Sequence, residues 1–374
     1  MSAPREALKA TLLAGLRMAA RLSPLPGGHA VLCYHRLTRD WLNCGLAPHI
    51  YVHADRFREH LRILRRNAEL IGLAELDKRL AARRESPPGR DEPEGLAVCV
   101  TFDDGYADNL SLALPILKEE GVPAALFVST GFVDDPADVP WWDVNFRAAR
   151  EIAQGVVHLR DNGRSLRFDT RTMGGRRGLL KAMNDATLRR CRENGGRARP
   201  VAEEVFPDMA RAERNDFCAW DDLRAALGDG LLTIGSHTVS HPVLSACADW
   251  ETTELAASRE RLEAELGERV AFFAYPYGGP AHIPADPAES FASQGIRLAM
   301  TITAGLNHAS TDRYGLRRIS VEGGDDAGGL LARIKAAMLR DRVRDLLPEA
   351  VEMFEEGRER TCGNGEEEAC ARRR

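Results

Sequence analysis

Seven short apolar runs alternate with helical patterns along this chain, and that alternation narrows the possible folds more than any other feature. The runs cover residues 30–35, 96–104, 124–130, 232–237, 270–275, 298–303 and 316–321. Between the first two, Phe57, Leu61 and Leu64 repeat at helical spacing behind Asp55, a residue type that caps helices. Residues 106–120 and 250–266 also read as helices, and Gly121 and Gly267 stand just past their ends. Strand–helix alternation on this scale predicts a distorted (β/α)7 barrel, with an open doubly wound sheet as the alternative. Barrels of this kind carry their chemistry at the C-terminal ends of the strands. His35, Asp103, Asp104, Thr130, His237 and the segment from Tyr275 to Gly278 all fall there.

The 374 residues are enough for one large barrel with additions. Three segments are expected: a helical stretch over 1–29, a main domain over 30–345, and a charged, disordered tail over 346–374. Within the body, residues 134–215 form an insertion of poor periodicity, rich in Arg and Gly. Its basic block has two readings, a solvated face or a surface for an anionic polymer. The net charge of −5 predicts no general affinity for nucleic acid. Eight cysteines, at 33, 44, 99, 191, 218, 247, 362 and 370, show no CxxC pair, which suits reduced thiols in a cytoplasmic protein. Lys9, Arg17 and Arg21 interrupt the first apolar stretch, so neither an export signal nor a membrane span is expected. Residues 5–22 remain open to two readings: a helix packed on the domain, or an amphipathic helix making peripheral membrane contact.

The chemistry concentrates in two motifs. Thr101-Phe-Asp-Asp-Gly105 ends a wholly apolar strand with two adjacent carboxylates, which do not both stay ionised cheaply unless a cation accompanies one of them. His237-Thr-Val-Ser-His241 puts two imidazoles four residues apart, the spacing of one helical turn. One acid with two histidines is a three-ligand divalent metal site with positions left for water, and the second acid is free to act as a base. Taken singly, the Asp pair reads equally as a turn or helix cap, and the His pair as ordinary surface or core histidines. Gly323-Gly-Asp-Asp326 lacks the strand-to-helix context of a phosphate loop and reads as a turn.

With these motifs in place, the sequence resembles the polysaccharide deacetylases, the carbohydrate esterase family 4 or NodB-homology group. Thr101-Phe-Asp-Asp-Gly105 is similar to the first family motif and His237-Thr-Val-Ser-His241 to the second. Phe273-Ala-Tyr-Pro-Tyr-Gly278 matches the third, with Ala274 in the slot that usually holds Arg. The resemblance covers about residues 30–133 and 216–322 and implies a NodB-like barrel that removes acetyl groups from a carbohydrate, possibilities including an anionic polymer or exopolysaccharide. It implies Asp104, His237 and His241 as ligands of one divalent ion, zinc by default, with Asp103 as general base. Tyr277, Pro276 and Trp142 would line the substrate groove, and the Tyr277 main-chain N–H would assist the oxyanion. The family's Leu-x-x-His and Asp-x-x-Trp elements are absent. His308 is the substitute general acid by position, with His282 and His35 as alternatives. An amidase acting on a small cyclic amide and a glycan-binding homologue without turnover are the rival readings.

Overall fold

The computed structural model describes residues 27–84, 95–206 and 216–346. Residues Gly27–Leu330 form one compact unit. Of the chain beyond it, the described part is the end of a helix that spans Ala327–Leu346. The expected helix at 5–22 and the tail beyond 346 lie outside the described residues.

All seven expected strands are present within the unit. They are β1 (Gly28–Tyr34), β5 (Leu96–Phe102), β6 (Ala124–Val128), β9 (Leu232–Ser236), β10 (Phe272–Ala274), β11 (Leu298–Met300) and β12 (Ile319–Ser320). The short β2 (Arg36–Thr38), β3 (Tyr51–His53) and β4 (Glu69–Leu70) lie between β1 and β5, while β7 (Val156–Asp161) and β8 (Arg164–Asp169) belong to the insertion. The sheet runs β11-β10-β9-β6-β5-β1-β12, with β4 added beside the first half of β5, and every pairing in it is parallel. Parallel strands are covered on both faces, which explains why β1 and β5 are buried along their whole length and why their sequences do not alternate with polar residues. Leu316 bridges Met300, and the Arg318 N–H donates to Thr303 O, so the run before β12 spans the seam beside β11. The result is the distorted (β/α)7 barrel.

Val31, Cys99, Ala125, Phe127, Phe272 and Met300 pack in one core with Leu76 and Leu80. Phe273, Tyr275 and Ala299 pack instead against Trp250, Leu255 and Phe291. The helix behind Phe57, Leu61 and Leu64 is Ala54–Asn67, but its N-cap is His53, whose Nδ1 accepts the Asp55 N–H. Asp55 is therefore a first-turn acid rather than the cap. Gly121 and Gly267 close their helices in left-handed conformation, as expected. Both of those helices begin with a π turn, Asn109–Ala113 and Glu251–Ala256.

The insertion is far more regular than its sequence suggests. It holds the helix Trp141–Glu151, the β7–β8 hairpin, the helix Met173–Glu193 and a short helix Val201–Val205. Asn162 and Gly163 turn the hairpin with φ of 48° and 75°, the left-handed pair that a two-residue turn requires. An Asn-Gly pair is itself a strong hairpin signal in a sequence, because these two residue types adopt that conformation at the least cost. Leu179, Leu180, Met183 and Ala186 pack against Val144, Ala148 and Ala149 in a core shared with Cys44, Leu46, Ala47 and Tyr51 from outside the insertion, so long Arg-rich helices are held by one apolar stripe. Replacing the fully buried Met183 with Ala should lower unfolding free energy by about 2–5 kcal/mol. Urea denaturation of the metal-free protein measures this, and an unchanged midpoint would contradict the packed insertion.

Candidate metal centre

The two carboxylates reach one pocket by different means. Ala97 and Cys99 face the inner core, and the period of two carries Asp103 to the same face. Asp104 would then point away, but it sits at φ 77° and is followed by Gly105 at φ 96°. A left-handed Asp is strained, and such strain is retained where surrounding structure fixes it. Here the Ser129 N–H donates to Asp104 O (3.1 Å), and a Cβ on Gly105 would lie 3.2 Å from Val128. Asp104 is buried, and its side chain accepts from no backbone N–H of the following helix, so the helix-cap reading is not met.

The histidine pair is not on a helix. His237 follows β9, and residues 238–241 form an irregular loop in which Thr238 (φ 72°) and His241 (φ 53°) are left-handed. These two reversals, rather than helical spacing, bring the rings to 4.8 Å between centroids. Glu254, itself buried, holds the loop by accepting from the Val239 and Ser240 N–H groups (2.9 Å each) and the Ser240 hydroxyl (2.6 Å). Arg197 pairs with the same carboxylate at 2.7 Å.

Asp104 Oδ1 lies 3.4 Å from His237 Nε2 and 3.4 Å from His241 Nε2. An ion with tetrahedral bonds of about 2.0–2.2 Å holds its donors about 3.3–3.5 Å apart, so the three atoms fit one divalent ion. His237 Nδ1 lies 2.7 Å from Ala274 O; donation there leaves the Nε2 lone pair for a ligand bond. Burial pushes the Asp104 carboxyl up, but the two imidazoles outweigh it and hold it well below the usual range.

Asp103 has a cation of its own. Arg318, fully buried, makes a bidentate pair with it (Nη1 to Oδ1 2.6 Å, Nη2 to Oδ2 2.7 Å) and donates through Nε to Thr301 O at 2.8 Å. Burial alone would raise the Asp103 pKa, yet Arg318 and then His237 bring it below the ordinary value, so the group is ionised at neutral pH. The Cys33 thiol donates to Oδ2 at 3.5 Å and stays protonated because burial raises its pKa. His35 completes this corner, with ligand-type atoms of Cys33, His35 and Asp103 all within 4.8 Å of one another. Its main-chain carbonyl is held by Asn109 Nδ2 at 2.7 Å, from the π turn.

Arg318 and Glu254 hold Asp103 and the histidine loop, and the motifs do not announce them. A signal existed for the first: an Arg inside the predicted strand at 316–321 cannot face a barrel interior without an acid partner, and Ala274 leaves the third motif's cation missing. Glu254 carried no comparable signal, because only the fold brings its helix under the histidine loop.

The metal-ligand candidates line a cavity of about 350 Å³ that extends from the strand ends to the insertion. Trp142 and Tyr277 line it, their rings 4.5 and 4.7 Å from the His241 ring. Trp142 Nε1 donates to Tyr106 OH (2.7 Å), and Trp141 Nε1 to Tyr277 OH (3.1 Å). Pro276 is buried outside the cavity lining; its carbonyl accepts the Gly278 N–H (2.6 Å) in the turn that sets Tyr277 at φ 60°. It shapes the turn rather than touching the cavity. His308 is misplaced for a general acid, because it packs beside Gly28 at the start of β1. The length of that strand puts it roughly 20 Å from the catalytic end. His282 is engaged by Arg192 at 2.7 Å and lines no part of the cavity. Several of the insertion's cations are paired, Arg189 with Asp161 and Arg190 with Glu204 inside it and Arg150 with Asp40 outside it.

The sequence matches the polysaccharide deacetylase family over residues 90–298. No curated protein matches it. Among solved structures it is similar to the Streptococcus pyogenes deacetylase PplD in complex with acetate. That pair is 18% identical, with a TM-score of 0.52 over 83% of this chain and 99% of that one. IcaB from Ammonifex degensii is 21% identical, with a TM-score of 0.51 over 83% and 98% of the two chains. A polysaccharide deacetylase from Bacillus cereus is 15% identical, with a TM-score of 0.50 over 82% and 69%. At these identities the likeness speaks for the fold.

The Arg318 pair generates a sharp expectation. Arg318→Met leaves a buried carboxylate uncompensated and should cost about 3–5 kcal/mol, with Asp103→Leu in the same chain recovering much of the loss. Denaturant titrations of the parent, the single and the double variant test it, and an Arg318→Met protein as stable as the parent contradicts the pairing.

Proposed function

Because the chain belongs to the polysaccharide deacetylase family, a group of carbon–nitrogen hydrolases, we propose that it removes N-acetyl groups from a carbohydrate. In this reading Asp104, His237 and His241 hold one divalent ion and Asp103 is the general base. The two 3.4 Å separations around Asp104 Oδ1, with all three donor atoms within 4.8 Å of one another on a cavity wall, carry the proposal. Zinc suits a three-ligand His2Asp set with free positions, and cobalt, nickel or manganese suit the same donors. When bound, the ion supplies a Lewis acid that acidifies water and polarises the acyl carbonyl.

The chain's own residues then divide two proton transfers. Asp103, ionised and fixed by Arg318, accepts the proton of the attacking water. The departing amine needs a proton in turn. We assign that transfer to His35 in place of the missing Leu-x-x-His histidine; its support is that it lines the cavity in the same corner as Asp103. The Tyr277 main-chain N–H is assigned to the oxyanion, and its ring, with Trp142, to shielding the reacting group from water.

Asp104→Ala should lose both bound metal and acetate release. Asp103→Asn should keep stoichiometric metal yet lose turnover by about 100-fold or more. Elemental analysis beside an acetate assay on N-acetylated oligosaccharides separates the two variants; a fully active Asp103→Asn protein removes the base from its role. For His35, the informative comparison is leaving-group chemistry. His35→Gln should slow amide cleavage by about 100-fold while leaving hydrolysis of p-nitrophenyl acetate, whose phenolate departs unprotonated, within about threefold. Equal losses on both substrates would show that His35 is not the acid.

A further inference from the structure

One buried acid on the cavity wall takes no part in the metal centre. Asp143 stands in the first turn of the helix Trp141–Glu151, so the insertion delivers it to the cavity that Asp104, Trp142, His237 and His241 also line. An acid in a first turn ordinarily complements the helix dipole from the solvent side. This one has a side chain only 9% exposed, where an ionised carboxylate needs donors around it.

Its two oxygens are served unequally. Oδ2 accepts from Tyr106 OH at 3.1 Å, and the same hydroxyl accepts from Trp142 Nε1 at 2.7 Å. Oδ1 lies 3.8 Å from Arg36 Nη1, beyond hydrogen-bond reach. Arg36 is committed elsewhere: Nε donates to Asp108 at 2.8 Å and Nη2 to Asp216 at 3.1 Å, with the guanidinium over the Tyr106 ring at 4.1 Å. A single cation thus faces three carboxylates, and Asp143 is the most distant of them. Burial pushes the Asp143 pKa up to about 6, against the pull of Arg36 and the Tyr106 hydroxyl, so the carboxylate is the main form at neutral pH. The network therefore fixes the group in place and leaves one acceptor oxygen without a close donor. Beside it the wall is aromatic, with Trp142 and Tyr277 bordering His241 at 4.5 and 4.7 Å. An acceptor next to aromatic faces suits a sugar, whose C–H faces are apolar and whose edge carries hydroxyl donors.

We propose that Asp143 is a specificity-determining residue, accepting a hydrogen bond from a hydroxyl of an amino sugar whose acyl group faces Asp104 and the two histidines. The ligand class this selects is a sugar with that hydroxyl free, rather than acylated amines or small cyclic amides in general. The proposal rests on the deacetylase reading for the identity of the acyl group, while the hydrogen bond itself is read out by binding alone.

The probes are the methyl glycoside of N-acetylglucosamine and its monodeoxy analogues. Calorimetry measures their binding to the zinc-loaded Asp103→Asn protein, chosen to suppress turnover, with Asp143 intact and with Asp143→Leu added. With Asp143 intact, one analogue should bind at least about tenfold more weakly than the full sugar, the scale of a hydrogen bond to a charged acceptor. With Asp143→Leu, that analogue and the full sugar should bind within about twofold of each other. A merely disturbed wall would weaken both and leave their ratio unchanged. Asp143→Asn, which keeps an acceptor for Tyr106, serves if the Leu variant does not fold or binds nothing, and should lower the ratio by at least about threefold. No analogue discriminated, a ratio unchanged by the substitution, or no binding of the full sugar would each overturn the proposal. Acetate release by the parent protein is scored on the same sugars. Release without discrimination that depends on Asp143 would sink this assignment and leave the deacetylase reading standing. The expected discrimination with no acetate released would uphold the hydrogen bond and sink the deacetylase reading instead.

Discussion

Two adjacent carboxylates, both almost wholly withdrawn from water, govern the organisation of this molecule. Neither could remain ionised in that position alone, and the fold answers each separately. Asp103 receives Arg318, a cation brought from 215 residues away and bound through both oxygens. Asp104 receives two imidazoles at ligand spacing. Dividing the charges in this way distinguishes the two groups, because both Asp103 oxygens are committed to a guanidinium while Asp104 Oδ1 faces two imidazole nitrogens.

The supports behind this pair sit where the helices depart from regular winding. Each of the two helices flanking the site begins with a π turn. One turn carries Asn109, which fixes the His35 carbonyl, and the other carries Glu254, which gathers the N–H groups of the histidine loop. A π turn shifts side-chain direction relative to an α-helix and recurs at functional sites for that reason. Asp104, Thr238, His241 and Tyr277 add four left-handed non-glycine residues around the same cavity. Strain of this kind is tolerable only where hydrogen bonds over-determine the backbone, and these loops have them. Among the described helices none is long and apolar enough to cross a membrane, and the apolar content goes instead into the barrel, its outer layer and the core that joins the insertion to residues 44–51.

Much of this is legible in composition and period. The seven strands, the apolar helix stripe at Phe57, Leu61 and Leu64, and the glycine stops at Gly121 and Gly267 follow from local preferences that tertiary contacts did not override. The motif residues are identifiable for a related reason: charged or imidazole side chains at the ends of fully apolar strands have no inexpensive structural use. Geometry inferred from spacing fares worse. Four residues between histidines suggest a helical turn, yet two left-handed residues bring the rings together. Position in the sequence suggests His308 as the acid, yet the return of the chain places it at the opposite end of β1. Pro276 sits inside a motif without touching the cavity. The Arg-rich insertion looks irregular because its cations mask a narrow apolar stripe, and its hairpin announces itself only through the two residues Asn162 and Gly163.

The sequence by itself determined the barrel's strands, the chemical character of their ends, and the candidate residues for an ion, because these depend on local patterning and on what side chains can do. The tertiary structure alone decided which cation neutralises which carboxylate, which histidine stands beside Asp103, and how far the insertion reaches over the strand ends. Those are distances between residues remote along the chain, and no local preference encodes them; they exist only once the sheet has brought the strands into register.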